Sequence, residues 1–252
     1  MIQSVQRISQ ILNLFRKYTS LSLKQIAEET GLAKSTVHGL VSSLKEENFL
    51  AQDPATHQYS LGLAIFELSS YYHTRKDLRS ISIPFINELA KNLGMTVQLA
   101  ILDKNQVVYL YKKTTAEFLV FSISTGLRLP FHCTATGKII AAFLPEKERE
   151  TLIDTHSYSA LTPYSISEAE TMKNTLTLAR TNGYALDLNE SELGLGGLAV
   201  PIFKSDQVIA GALSISFLSE TYCPELLSRI LTPLQSSANL ISRKLGWLSY
   251  SL

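Results

Sequence analysis

Two cysteines in 252 residues, Cys133 and Cys223, exclude a disulfide framework. Neither has companions at metal-ligand spacing, so no metal site is expected. No apolar run approaches the ~20 residues needed to span a bilayer. The opening MIQSVQRISQ lacks the apolar core of a signal peptide. Charge of one sign is also scarce. A net charge of +1 excludes a polybasic coat for nucleic acid. Residues 1–80 carry 9 Lys/Arg against 7 Asp/Glu, and the remainder carries 14 against 15. GxSxG, HExxH, CxxC and P-loop patterns are missing, as are internal repeats and low-complexity tracts. Apolar residues at 45% and charged residues at 18% suit a soluble globular chain of one large domain or two ordinary ones. The expectation is a reduced, cytoplasmic protein with no cofactor, no metal and no membrane partner.

What is present is organised around residues 22–48, SLKQIAEETGLAKSTVHGLVSSLKEEN. Ser22 and Gln25 form a capping box, and Leu23, Ile26 and Ala27 mark one apolar face. Gly31 ends that helix, because glycine takes a left-handed cap at little steric cost. A second helix follows from about Lys34, with Val37, Leu40, Val41 and Leu44 on its inner face. Its outer face is Ser35, Gly39, Ser42 and Glu46, flanked by His38 and Ser43. Such a pair is a helix-turn-helix or an ordinary helical hairpin, and the flanking chain decides between them. Before it, residues 4–18 read as a helix with Val5, Ile8, Leu12 and Phe15 as the buried stripe and Ile11 beside it. After it, residues 49–52 and 58–61 read as short strands around an Asp53-Pro54 turn. Three helices and a hairpin are the order of a winged helix-turn-helix.

Residues 61–74 continue as a helix with Leu61, Ile65, Leu68 and Tyr72 at helical spacing. A small DNA-binding core cannot cover that seam, so it packs on a second copy or on its own C-terminal domain. The charged Arg75-Lys76-Asp77 marks the boundary. Beyond it the expected order is a helix (78–93), strands at 96–102, 106–112 and 118–124, and helices near 135–143, 146–154 and 167–181. Strands at 184–188, 198–203 and 208–217 and a helix at 225–244 complete it. The class is α+β: residues 1–61 a winged helix-turn-helix, 62–76 a linker and dimerisation helix, and 77–252 an effector-binding domain with a mainly antiparallel sheet.

These pieces resemble the IclR family of transcriptional regulators over nearly the full chain. The likeness is carried by SVQRISQILNLF, GLAKSTVHGLVSSL, YSLGLAIFEL, GLRLPFHCTATGK, GYALDLNESELGLGGLAVPIF and GALSIS, in that order. It implies a GAF-like C-terminal domain and a homodimer, or a homotetramer built from two dimers, on a palindromic DNA operator. The genes controlled would serve the use of small carbon compounds, with repression preferred over activation. The physical case for DNA stands beside it. Ser35, Thr36, His38 and Ser42 are small or polar enough to meet base edges. Lys34 and Lys45 suit phosphates, as do Lys24 and Gln25 on the preceding helix and Arg7 on the first. His57 and Gln58 lie at or near the wing tip. Gly39 departs from the family, where arginine is common. The charges are also those of an ordinary solvated face.

For the effector, the resemblance implies a pocket lined by an acid after GYA, a cysteine before AxP and two serines on the later strand. The matching residues are Asp187, Ser214 and Ser216, with Gly197 at the cysteine position and Gly196 beside it. Serines two apart on a strand share a face. The GLGGL run leaves N–H groups for an anion and enlarges the pocket, unless it is a bulge. Leu127, Leu129 and Ala135 supply an apolar wall. Asp187 and Glu190 bind hydroxyls, so the expected effector is a carboxylate or sugar acid larger than a two-carbon acid. Two other readings compete. One is a winged-helix protein–protein adaptor, since the charge is low. The other is an enzyme using Cys133. On a strand, His132 and Cys133 would face opposite sides and could not act as a pair, which leaves His156 as the partner made by folding.

Overall fold

The computed structural model describes residues 2–72, 78–115, 124–204 and 208–247, with the backbone alone for residues 69–72. The chain divides into two compact units, Met1–Arg75 and Lys76–Leu252.

In the first unit α1 (Gln3–Leu14), α2 (Leu23–Thr30) and α3 (Lys34–Glu46) enclose one core. It contains Ile11, Leu21, Ile26, Ala27, Val37, Val41, Leu44 and Leu50. The local signals act as their chemistry dictates. Ser22 and Gln25 close the capping box, and Gly31 takes the left-handed cap at φ 67°. β1 (Leu50–Gln52) and β2 (Tyr59–Leu61) pair antiparallel as the wing. Leu21 bridges to Tyr59 on the other edge. Gly62 lies so close to the Asn48 carbonyl that any Cβ there would overlap it.

Two expectations fail in this unit. Val5 is 60% exposed and Ile11 is the residue of α1 that is fully buried, because the first turn of α1 overhangs a core of this size. Leu61 ends the wing strand, and α4 runs over Leu63–Tyr72. Leu63, Phe66 and Leu68 are all more than half exposed. They are spread around the helix rather than stacked along one seam.

In the second unit, α5 (Leu78–Leu93) leads into β3 (Thr96–Asp103) and β4 (Gln106–Lys113). The expected strand at 118–124 falls outside the described residues except for Ser124, which is irregular. A short β5 (Arg128–Pro130) and a 3₁₀ turn (Phe131–Cys133) come instead before α6 (Ala135–Ala142). Then follow α7 (Glu146–Thr155), α8 (Ala169–Asn182), β6 (Ala185–Leu188), β7 (Leu195–Phe203), β8 (Ile209–Leu218) and α9 (Pro224–Lys244). The six strands form one sheet in the order β5-β4-β3-β8-β7-β6, every neighbouring pair antiparallel. α5 and α9 pack on one face through Ile86, Ile230 and Leu234. α6 and α8 pack on the other through Ile139, Ile140, Met172 and Leu176. The result is three layers, with alternate residues of each strand assigned to opposite cores.

Candidate functional site

The face of the sheet under α6 carries two rows of polar and small residues. Asp187 pairs with Gly197, Gly197 with Ser216, and Ser216 with Thr96. In the next row Ala185, Ala199, Ser214 and Gln98 stand opposite one another in turn. Residues directly opposite share a face, so these rows form a continuous floor. The N-terminus of α6 lies over it. Thr134 caps α6 by accepting from Gly137 N at 3.0 Å. The dipole end and the N–H groups of Ala135 and Thr136 therefore open over the floor. Between floor and helix is a cavity of about 20 Å³, lined by Gln98, Tyr109, Thr134, Ala135, Thr136, Asp187, Ser191, Leu195, Gly196, Gly197, Ser214, Ile215 and Ser216.

Its polar groups are ordered by one another. Ser214 Oγ donates to Gln98 Oε1 at 3.1 Å. Gln98 Nε2 lies 2.8 Å from Ser216 Oγ, which is also 3.2 Å from Gln98 Oε1. Asp187 accepts from Glu190 N at 2.8 Å and from Ser191 Oγ at 2.7 Å. Burial pushes the Asp187 carboxyl above the usual range, against the pull of Ser191 and Lys138. Burial likewise raises the Tyr109 phenol, against the pull of Thr136.

Six of the nine expected effector residues meet here: Ala135, Asp187, Gly196, Gly197, Ser214 and Ser216. Leu127 and Leu129 pack against the core under α6 and do not line the cavity. Glu190 is drawn aside by a buried ion pair with Lys138. Burial raises its carboxyl despite that partner. The adjacent glycines differ. A Cβ on Gly197 would meet Ala135 and Asp187 at ordinary contact, 3.6 and 3.7 Å, so this position borders the cavity. A Cβ on Gly196 would overlap the Phe217 ring. Its missing side chain is filled from the opposite face and adds no ligand space. Both glycines sit in a strand paired on each edge without a register shift. Their N–H groups belong to the ladder rather than to an anion, and no bulge is present there. Gln98, Tyr109, Thr136 and Ser191 are lining residues that the sequence pattern missed. Only strand register brings Gln98 to Ser214, 116 residues away.

The loops beside the cavity are tied to each other. Thr162 Oγ1 donates to the Asn189 carbonyl at 2.6 Å, and Ser165 Oγ to the Glu190 carbonyl at 2.7 Å. Beneath them, His132 and Cys133 are in contact after all, Nε2 to Sγ at 3.1 Å. They occupy a 3₁₀ turn, where side chains do not alternate as on a strand. His156 Nε2 is 2.7 Å from His132 Nδ1, and Asn105 Nδ2 is 3.5 Å from His156 Nδ1. Asn105 has only hydrogens on that nitrogen, so His156 Nδ1 accepts and its Nε2–H donates to His132 Nδ1. His132 Nε2 then carries a hydrogen, directed at the Ser159 carbonyl 3.2 Å away. That leaves no base for the thiol. Burial also raises the Cys133 thiol, and burial with His156 pulls His132 down to about 4. The cluster is a hydrogen-bonded brace, not an activated nucleophile.

The expected DNA face lies on the first unit. No side chain caps α3, whose preceding residue is Ala33. Its first N–H groups and positive dipole end are available to a phosphate. Lys34, Ser35, His38, Gly39 and Lys45 are exposed, and Thr36 and Ser42 are half-buried. Lys45 Nζ donates to Gln52 Oε1 at 3.0 Å, joining α3 to the wing. Lys24 is paired with Glu28 at 3.7 Å, and the Gln25 carboxamide oxygen accepts from Ser22 N at 2.9 Å. Arg7 is half-buried on α1. Asp53 accepts from the Ala55 and Thr56 N–H groups, both at 2.8 Å, and so shapes the wing tip. His57 follows, exposed and at φ 56°. Gln58 is turned back from the tip, accepting from Ser20 Oγ at 2.6 Å.

A winged helix-turn-helix joined in one chain to a domain with a small cavity lined in part by polar side chains defines a ligand-responsive DNA-binding regulator. Residues 4–54 match the IclR helix-turn-helix domain, and residues 70–243 match the family described as Bacterial transcriptional regulator IclR C-terminal. The chain belongs to the IclR family of transcriptional regulators, which are not enzymes. It is 34% identical over 247 residues to the HTH-type transcriptional regulator XynR of Escherichia coli (strain K12), covering 98% of each chain. The IclR of Thermotoga maritima superposes with a TM-score of 0.81 at 27% identity, over 98% of this chain and 100% of that one. An IclR homolog of Microbacterium hydrocarbonoxydans complexed with 4-hydroxybenzoate shares the fold, with a TM-score of 0.85 at 22% identity over 97% and 99% of the two chains. Among the described residues, no helix is long and apolar enough to cross a membrane.

Proposed function

We propose that this regulator is a cytoplasmic repressor of an operon for using a small hydroxylated acid. It binds a palindromic operator as a dimer or a dimer of dimers. The observation that carries the reading is the cavity, with hydroxyl-binding Asp187, Ser214 and Ser216 on its floor and a helix N-terminus over it. A carboxylate suits the α6 end, and ligand hydroxyls suit the floor. The hydroxyls and carboxylate on the floor favour a polyhydroxy acid over a bare aromatic one. Asp187 and Gly197 border the ligand, Glu190 supports their wall, and Leu127 and Leu129 stiffen the core behind it. On the DNA side Ser35, Thr36, His38 and Ser42 face base edges. Arg7, Lys24, Gln25, Lys34, Lys45, His57 and Gln58 serve the backbone directly or hold the surfaces that do. Residues 62–76 act as the dimerising linker, since the exposed Leu63, Phe66 and Leu68 need a cover that a second copy supplies.

The mechanism is a population shift. Effector binding favours one arrangement of the two copies and so sets the spacing of their recognition helices against the half-sites. The test pairs thermal shift with gel shifts on the gene's own upstream region. Sugar acids, their matching polyols and 4-hydroxybenzoate form the panel. A sugar acid is expected to stabilise the protein and release the operator, with Ser214→Ala weakening both. Stabilisation by aromatic acids alone would reject the ligand class. Equal, weak binding to every DNA sequence would favour the adaptor reading.

A further inference from the structure

A cavity of about 20 Å³ holds about one water and no organic acid. Binding must therefore vacate space already occupied by protein. Most of the wall cannot give way. β7 and β8 are held in the middle of the sheet. Gly137 lies so close to the Phe131 backbone that α6 has no slack there. Tyr109 is buried in the core under α6. Gln98 differs. It is an unbranched side chain with three rotatable bonds, 1% exposed, and its terminal carboxamide fills the space between Ser214 and Ser216.

A carboxamide and a carboxylate have the same planar shape and nearly the same size. Gln98 Oε1 accepts from Ser214 Oγ at 3.1 Å and is 3.2 Å from Ser216 Oγ, as one oxygen of a bound acid would be. Gln98 Nε2, 2.8 Å from Ser216 Oγ, stands where the second oxygen would be. We propose that the Gln98 carboxamide is a built-in stand-in for the effector's carboxylate, so that an acid binds by displacing it from Ser214 and Ser216. The proposal rests on the cavity being the effector site. It also moves the acid group from the α6 end to the two serines, leaving the helix N-terminus to a ligand oxygen further along.

The sign of one substitution separates this role from a supporting one. A residue that merely braces the pocket, or that binds the effector itself, weakens binding when removed. A competitor strengthens it. Gln98→Ala excises a fragment the size of acetamide, so acetamide and acetate are the probes. Both are expected to stabilise Q98A at millimolar concentration and to leave the wild type unmoved. Acetate should bind Q98A at least about tenfold more tightly than it binds the wild type, or about 1.4 kcal/mol. It should also outcompete acetamide, because charged acceptors make stronger hydrogen bonds. The effect should vanish in the triple variant that adds Ser214→Ala and Ser216→Ala. If Q98A does not fold, Gln98→Asn withdraws the amide by one methylene and is read the same way.

Equal responses of Q98A and wild type to acetate, or a response that survives loss of both serines, overturns the proposal. Operator affinity of acetate-loaded Q98A is measured separately. Acetate binding to Q98A without any change there would show that an acid can replace the carboxamide, and would overturn the reading of this cavity as the effector site.

Discussion

Gly39 stands in the middle of the outer face of α3, where a reading helix carries its longest side chains. A Cβ there would meet no atom within 4 Å, so space does not require glycine. Within a helix glycine costs about 1 kcal/mol relative to alanine. Gly39→Ala should therefore stabilise the first unit by about that amount, raising its melting temperature by several degrees. Gly39→Arg adds a cation one turn from the exposed Ser35. If it reaches one phosphate per recognition helix, the slope of log affinity against log salt steepens by about 0.9 per copy. In a dimer the change is about 1.8, and affinity at low salt rises with it. The assay is a gel shift or anisotropy titration on the operator across a salt series, with each variant's melting temperature measured in parallel. The alanine variant isolates the backbone effect from the charge. A G39A protein that is more stable yet binds the operator much more weakly would refute the reasoning. It would mean that the backbone at Gly39 lies against the bases, where even a methyl group intrudes.

Two further outcomes follow from buried ionisable groups. His132 is wholly buried and its folded pKa of about 4 lies below the ordinary 6.5, so the unfolded chain binds the extra proton between those values. Stability from this group is complete above about pH 6.5 and falls by about 3 kcal/mol as pH drops to about 4. Asp187 and Glu190, raised by burial, act in the opposite sense, so the check is the difference between wild type and His132→Asn across that range. A difference that does not vary with pH would contradict it. Lys138→Met strands Glu190 in a site where its second oxygen already has no partner among the described residues. It should cost about 3–5 kcal/mol in denaturant unfolding, and adding Glu190→Leu should recover most of the loss.

What could be read from the sequence was what depends on near neighbours. The Ser22–Gln25 box and the Gly31 cap are local, and they form as written. Five of the strands in the second unit were legible because alternation and turn residues mark them, whereas the short β5 was not. The failures share a different cause. Val5 lies on the right face of α1, but whether it is covered depends on how far the core extends. His132 and Cys133 were separated by assuming strand alternation, and a three-residue turn removed the assumption. Gln98 went unnoticed because its partners arrive from a strand more than a hundred residues later.

Gly196 and Gly197 make the point most sharply. Both belong to β7, which starts at Leu195 rather than at the expected 198, and a side-chain period of two sends adjacent positions to opposite faces. One borders the cavity and the other makes room for an aromatic ring in the α5/α9 layer. Telling them apart needs the register. Ser214 and Ser216 share the cavity face, so Phe217 must point away, and its ring needs a vacancy on that side. Register sets Phe217 opposite Gly196 and Ser216 opposite Gly197. The missing side chain at Gly196 therefore cannot enlarge the ligand's space, because Phe217 already uses it. Extra space must come from a side chain inside the cavity that is able to move, which is why Gln98, rather than the glycine run, governs how large an acid can enter.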